Sequence, residues 1–501
     1  MLRAPGFLCP SVYRYIKRLA AFQRTTDIVP RMKRFMSEVK LLGMGLIAAT
    51  VAFCGALDGF AQTNITASTN GTPAWLTKPL SIADALNTTL QQNAAISKAK
   101  TDLEATYGLI VQTRAIALPK LQTGTSRGAS SFTSTDPDLT ERFPGVDNAF
   151  PHQNWNAGIQ IVQSIYEGGR IGSALRAARL TKEQALLHYQ TAVADTLLAT
   201  RVAYYDVLVA AQQITVNEAS VNLLSRELED QKRRYEAGTV PRFNVLRAEV
   251  AVANQRPNLI RARNAYRIAK NNLVNLLGYN LPREIWEDIP LQLTDTLEAQ
   301  PYQIALPDAI QQALKKRTEL GALQKSEQLQ RENIVQAKSG YKPSLQGFAG
   351  YEWRSSQYQT DLSEEVNGWV IGAQLNWNIF DGLATHGKVI QARAQHERAQ
   401  IELEDAARQI ELEVRTAYSS FIEAREVLES QEKVQEEAEE ALRLAKARTE
   451  AGTTTQLDVL DAETSLTQAR TTQVQALHDY AVARARLERA IGENMVRENG
   501  K

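Results

Sequence analysis

The chain writes one phrase twice. Residues 236–249 read EAGTVPRFNVLRAE and residues 450–463 read EAGTTTQLDVLDAE. Eight of the fourteen positions coincide without a gap, against about one expected at average residue usage. The same offset of 214 pairs Trp155 with Trp369, Tyr166 with Phe380, Tyr266 with Tyr480, Leu273 with Leu487 and Gly278 with Gly492. Farther upstream the offset becomes 224, pairing Asp84 with Asp308, Ile110 with Ile334 and Pro119 with Pro343, so the ten-residue change falls inside one loop. A repeat of about 200 residues is far longer than a solenoid unit and marks duplication of a whole folding unit. The fold must therefore set two copies of one plan in a single chain.

Each copy reads helix, strand, loop, strand, very long helix, tight turn, helix. The first repeat covers 81–280 and the second 304–494, with 62–80 as an N-terminal linker, 281–303 as an equatorial linker between repeats and 495–501 as a tail. Ser81 can cap a helix running to about Ala117, where Pro119 ends it. The next helix runs from about Gly172 to Tyr235, its apolar residues recurring at Leu198, Val202, Tyr205, Val209, Val216, Ala219 and Leu223. That 3–4 spacing is helical. Some 60 residues at 1.5 Å each would reach roughly 90 Å, too long for a globular core and suited to a coiled coil. Gly238 supplies the left-handed stop, and Pro241 opens a return helix to about Leu277, with Pro257 as an expected kink. The second copy gives helices at about Ile304–Ser339, Gly387–Thr449 and Leu457–Ile491.

Between these helices lie short two-sided ribbons, expected within 119–166 and 343–380. In WVIGAQLNWNIF, Trp369, Ile371, Ala373, Leu375, Trp377 and Ile379 fall on one face, and Gly372, Gln374, Asn376 and Asn378 on the other. SLQGFAGYEW puts Leu345, Gly347, Ala349, Tyr351 and Trp353 against Ser344, Gln346 and Glu352. The first repeat gives Trp155, Ala157, Ile159, Ile161 and Ile165 against Asn156, Gln160 and Ser164. Strands of about ten residues, apolar on one side, polar on the other and aromatic near the ends, carry the pattern of a transmembrane β-barrel. A soluble half-buried sheet shares the alternation. Its inner face would not need so much Asn and Gln opposite the aromatics.

Two hairpins supply four strands. A bilayer tolerates no open sheet edge, and the smallest such barrels need eight strands. The barrel is therefore shared among chains, two copies giving eight strands and three giving twelve. The fold class expected is mainly α with a small transmembrane β part.

The N-terminus stands apart. Basic residues 31–40, an apolar run from Leu41 to Leu57 and a small-residue site near Ala61 have the order of a secretory signal peptide within residues 1–61. Both cysteines, Cys9 and Cys54, precede that site, so the exported chain has no disulfide and no Cys-based metal site. Without residues 1–61 the chain carries 48 basic and 53 acidic residues, a balance that gives no footprint for nucleic acid. His152, His188, His386, His396 and His478 lack metal-ligand spacing, and solvent-facing positions are expected for them. No phosphate-cradling loop or nucleophile elbow is present. No cofactor and no enzymatic activity are expected. A periplasmic coiled-coil adaptor or rod is the competing class, but such a chain would lack lipid-facing strands.

The duplicated helix–hairpin–helix plan, the joins IYEGGR (165–170) and IFDGLATHG (379–387), and EAGT at both turns resemble the TolC family of bacterial outer-membrane efflux and secretion channels. The resemblance covers about residues 75–495. It implies a homotrimer with a twelve-stranded barrel, a long periplasmic α-barrel closed at its inner end by the hairpin tips, and docking onto an inner-membrane pump and its periplasmic adaptor. The alternation puts Trp155, Ile159, Ile161, Tyr351, Trp353, Trp369, Ile371, Leu375 and Trp377 towards outer-membrane lipid, and the resemblance further implies that Ala237, Gly238, Thr239, Ala451, Gly452 and Thr453 form the docking tips. Asp458 and Asp461 match the acidic residues that ring the pore in some members, with Asn244 and Arg247 at the equivalent places of the other hairpin. Thr454 stands where those members carry a latching arginine, so Arg247 with an aspartate of a neighbouring hairpin is the substitute latch expected. Acids in a first helical turn also stabilise the helix through its macrodipole, by about 0.3–1 kcal/mol, and both readings of Asp458 and Asp461 stay open.

Overall fold

The computed structural model describes residues 79–129, 153–279, 289–355 and 365–493. The expected signal peptide, the loops at the strand tips and the first part of the inter-repeat linker lie outside the described residues. The first repeat builds α1 (Ile82–Gln92), α2 (Ala94–Arg114), β1 (Lys120–Ala129), β2 (Gln153–Glu167), α3 (Arg170–Glu236) and α4 (Arg242–Leu276). The second builds α5 (Leu306–Lys316), α6 (Thr318–Lys338), β3 (Ser344–Ser355), β4 (Glu365–Asn376), α7 (Ala384–Glu450) and α8 (Gln456–Ile491). α3 and α7 have 67 residues each, about 100 Å of helix. α4 runs unbroken past Pro257.

One expected helix per repeat is in fact two. Ser81 does cap α1, its Oγ accepting from Asp84 N at 3.2 Å. The helix then breaks at Asn93, with ψ 131°, and the second copy breaks at the equivalent Arg317, with ψ 120°. The cause lies at the far end of each repeat. Gly278 and Gly492, at φ 81° and 80°, end α4 and α8, and each is seated against a break. A Cβ on Gly278 would stand 2.4 Å from the Gln92 carbonyl oxygen. The break residues then cap the helix that meets them. Asn93 Nδ2 donates to Leu276 O at 2.6 Å, and Arg317 Nη1 donates to Arg489 O at 3.3 Å.

The elements stand in one row. On the sheet side of the breaks, α2, α3, α6 and α7 are neighbours in that order, and β1–β2–β3–β4 follow in the same order. Beyond the breaks α4 takes the place of α2 beside α3, and α8 takes the place of α6 between α3 and α7. The core is concentrated where these exchanges occur. Tyr204, Val207, Leu273, Val274 and Leu277 pack with Leu80, Ile289, Leu291 and Leu297. Val414, Phe421, Tyr480, Leu487 and Ile491 pack with Ala309 and Ala313 of α5. Each large side chain buried there contributes about 1.5–3 kcal/mol. Linker segments tie down the tyrosines: Tyr204 Oη donates to Leu80 O at 2.9 Å and Tyr480 Oη to Gln300 O at 2.8 Å. The buried Arg201–Glu488 pair, at 2.7 Å, fastens α3 of the first repeat to α8 of the second.

Candidate membrane sheet and helical tips

The four strands are antiparallel neighbours, and their register fixes the faces. Leu121 stands opposite Ile161, Ile159 opposite Tyr351, Ala157 opposite Trp353, and Tyr351, Ala349 and Leu345 opposite Trp369, Ile371 and Leu375. Directly opposed residues share a face, so Trp155, Ile159, Ile161, Tyr351, Trp353, Trp369, Ile371 and Leu375 lie together. Trp369 and Ile371 are 72% and 80% exposed, which is unfavourable in water and natural in lipid. The other face carries Gln122, Asn156, Gln160, Gln346, Glu352 and Gln374. It is not wholly polar: the Phe348 ring lies over Gly372, where a Cβ would stand 2.6 Å from Cζ.

Trp377 departs from the expectation. β4 ends at Asn376, opposite Ser344. The next partner would be Pro343, which has no N–H to continue the ladder. Trp377 therefore lies just beyond the sheet, its Nε1 donating to Tyr341 O at 3.2 Å. Ile379 and Asn378 likewise fall outside the strand. At the opposite end the Tyr351 ring is 4.8 Å from Trp353 and 5.3 Å from Trp369.

The two helical tips are copies in geometry. Ala237 and Ala451 share φ −76° and ψ −3°, and Gly238 and Gly452 share φ 75°. Thr239 N donates to Arg234 O and Thr453 N to Arg448 O, both at 2.9 Å. Ala237, Gly238, Thr239, Ala451, Gly452 and Thr453 are all exposed. Thr454, which stands where some members of the resembled family carry an arginine, is used inside its own turn, its hydroxyl 3.0 Å from that of Thr449.

The gate candidates divide. Asp458 and Asp461 are exposed on the first turns of α8. Asp458 does helix-start work: its Oδ2 accepts from Thr455 N at 2.9 Å and from Thr455 Oγ1 at 3.1 Å. Asp461 has no such bond among the described residues. Asn244 is half-buried near the start of α4. Arg247 lies over its own helix neighbour Phe243, 5.3 Å from the ring centroid. Within one chain α3 stands between α4 and α8, and no ion pair joins Arg247 to either aspartate among the described residues.

Two groups of residues escaped the sequence reading. His396 and His478 are not solvent-facing but wedged between helices. His396 Nε2 is 2.7 Å from Glu327, and His478 lies 2.9 Å from both Asp206 and Asp479. Burial alone would lower the His478 pKa, but the carboxylates on its two ring nitrogens raise it. The second group is a pair of cross-hairpin bridges, Lys232–Glu249 and Lys446–Glu463. The offset of 214 relates them residue for residue and could have found them. Among the described residues no cluster of three His, Cys, Asp or Glu side chains is placed to hold a metal.

Residues 85–279 and 309–493 match the family model described as outer membrane efflux protein, one stretch in each repeat. TolC of Vibrio cholerae is 29% identical over 345 residues, covering 67% of this chain and 76% of that protein. TolC of Escherichia coli is 25% identical over 417 residues, covering 80% of each. The crystal structure of the Campylobacter jejuni CmeC outer membrane channel has the same fold, with a TM-score of 0.70 at 15% identity over 82% of this chain and 85% of that one. With both repeats matched and the two-faced sheet in place, the chain belongs to the outer membrane efflux protein family of TolC-like channels.

Proposed function

We propose that three copies of this chain close into one channel, a passive conduit through the outer membrane whose inner end is gated by the helical tips. The observation that carries this reading is the four-stranded sheet with one apolar face and two unpaired edges, β1 and β4. Open edges cannot face hydrocarbon, and four strands cannot close alone. The edges differ, so copies join head to tail, β1 of one to β4 of the next, and a ring forms if the rotation closes. The helices support the same joint. α4 and α7 stand at the two ends of the helix row and carry unpartnered apolar stripes, including Phe243, Leu246, Val250 and Ile260 on one and Ile401, Leu412, Val427 and Val434 on the other. Three copies, the number the family resemblance implies, give twelve strands.

In such a ring the linker segments over Tyr204 and Tyr480 lie outside, and the opposite face of α3 and α8, with Asp206 and His478, lines the tunnel. Asp458 and Asp461 of three tips then stack six carboxylates about a narrow axis, where they attract cations. Arg247 would pair with an aspartate of the neighbouring chain. The paired Ala-Gly-Thr turns would receive a periplasmic adaptor, which links the conduit to an inner-membrane pump. The test is conductance of the purified protein in planar bilayers. Asp461→Ala should raise the current and weaken cation selectivity. Wild-type current and selectivity in the variant would remove Asp461 from the gate.

A further inference from the structure

The two hairpins carry the same Lys–Glu bridge in different surroundings. Lys232 and Glu249 are 3.5 Å apart, with side chains 50% and 45% exposed. Lys446 and Glu463 are 3.2 Å apart, but Glu463 is only 1% exposed. The difference is made by α3. It runs along α8 and closes over Glu463 from the side that stays open in the first hairpin. Leu223 of α3 packs with Leu442 of α7 and with Val459 and Leu466 of α8, so the carboxylate sits at a three-helix junction.

That junction is short of donors. Lys446 reaches one Glu463 oxygen as an ion pair at 3.2 Å, and no other donor among the described residues reaches either oxygen. The side-chain amides of Gln231 and Gln456 both donate to Glu227 of α3, at 2.8 and 3.5 Å. Their own carbonyl oxygens are left buried without a donor. The charged groups that act on Glu463 are Lys446 from α7 and Glu227 from α3, and Arg261 of α4 lines the same cavity as Glu463. Glu463 thus has one ammonium beside it and a second carboxylate near enough to repel it. Burial and a neighbouring carboxylate both disfavour the charged form of such a group, and the simplest change that relieves them is a proton on Glu463.

We infer that Glu463 is a proton-binding residue that positions the second hairpin. With the proton bound the hairpin stays docked on α3, and loss of the proton weakens the docking. This rests on the reading in which that hairpin's tip gates the channel. Burial raises the Glu463 pKa, Lys446 opposes the rise and Glu227 adds to it, leaving it above the ordinary carboxylate range. A group whose docked pKa is raised stabilises docking below its undocked pKa and loses that contribution as pH rises through the docked value. Each unit of difference changes the docked-to-undocked ratio by about tenfold.

The experiment places spin labels at Arg226→Cys on α3 and Ser465→Cys on α8 of the full-length protein in detergent, with Cys9 and Cys54 replaced by Ser. Distances are measured between about pH 5 and pH 9, a range spanning a raised carboxylate pKa. The wild-type distance should lengthen as pH rises. Glu463→Gln should hold the docked distance throughout. Lys446→Met should move the midpoint to higher pH, Glu227→Gln to lower pH, and Glu249→Gln, the equivalent glutamate of the first hairpin, should leave it in place. A constant wild-type distance, or an unchanged pH response in Glu463→Gln, overturns the inference. Conductance on the same samples separates the two claims. A distance that responds while current does not keeps the proton site and rejects the gate. Current that responds with no change in distance does the reverse.

Discussion

The two hairpin tips are the most instructive pair in the molecule. Their turns agree in dihedral angles and hydrogen bonds, because both follow from the same local letters, with glycine at the left-handed position. What lies behind them does not agree. Within one chain the first hairpin, α3–α4, leaves its Lys–Glu bridge exposed, while the second, α7–α8, buries the equivalent glutamate against α3. Duplication preserved the turn, and within one chain the order of helices leaves one hairpin at the end of the row and sets the other against α3. A difference in role therefore arises from packing around identical turns more than from the turns themselves.

Substitutions at matched positions can break or sharpen this comparison. The largest effect is expected where the last helix of each repeat meets the first. Gly278→Ala places a Cβ 2.4 Å from a carbonyl oxygen, and Gly492→Ala places one 3.1 Å from the Lys316 side chain. Both add the cost of a left-handed non-glycine residue, about 1–2 kcal/mol, and Gly278→Ala adds overpacking of about 1–3 kcal/mol. Denaturant titration of the assembled protein should rank Gly278→Ala well above Gly492→Ala. Equal losses would mean the first seat relaxes freely.

A smaller effect is expected at His478, whose counterpart at the 214 offset is Asn264. His478→Asn should lower stability by about 1 kcal/mol in mild acid, the scale of a hydrogen bond to a partly exposed charge. The raised His478 pKa gives the sign: its contribution is full below the ordinary histidine range and is lost as pH rises through the raised value. A stability loss in the variant that does not depend on pH would contradict this. Smaller still is the contrast between tips. Gly238→Ala and Gly452→Ala both meet open space at φ 75°, so melting curves should show equal losses of about 1–2 kcal/mol. Unequal losses would show that docking on α3 strains the second turn. Least visible in stability is Asp461→Ala, which breaks no bond in the described residues. Asp458→Ala should cost about 0.3–1 kcal/mol through the lost helix-start bonds, so only Asp461 reports on the proposed gate without a folding effect.

Much of the architecture was legible because it is written in period and repeat. The alternation of Trp369, Ile371, Ala373 and Leu375 set the sheet face. The 3–4 spacing placed α3 within two residues of its ends, and the 214 offset announced two equal tips. The helix breaks at Asn93 and Arg317 were not legible, since neither position carries a proline or glycine. Each break is set by a glycine about 180 residues away that needs a seat. The end of β4 was misplaced because alternation continues through Trp377 while the pairing partner, Pro343, cannot. His478 and Glu463 were missed for a related reason. On a helix of this length periodicity gives a stripe, but it does not say which neighbouring helix covers each flank.

The central claim is that a sheet with unequal open edges becomes lipid-compatible only by joining its copies into a ring. Native mass spectrometry of the detergent-extracted protein tests it most directly. The account predicts a complex of three chains that dissociates when the β1–β4 joint is disrupted. A single chain that stays folded in water without detergent would contradict it.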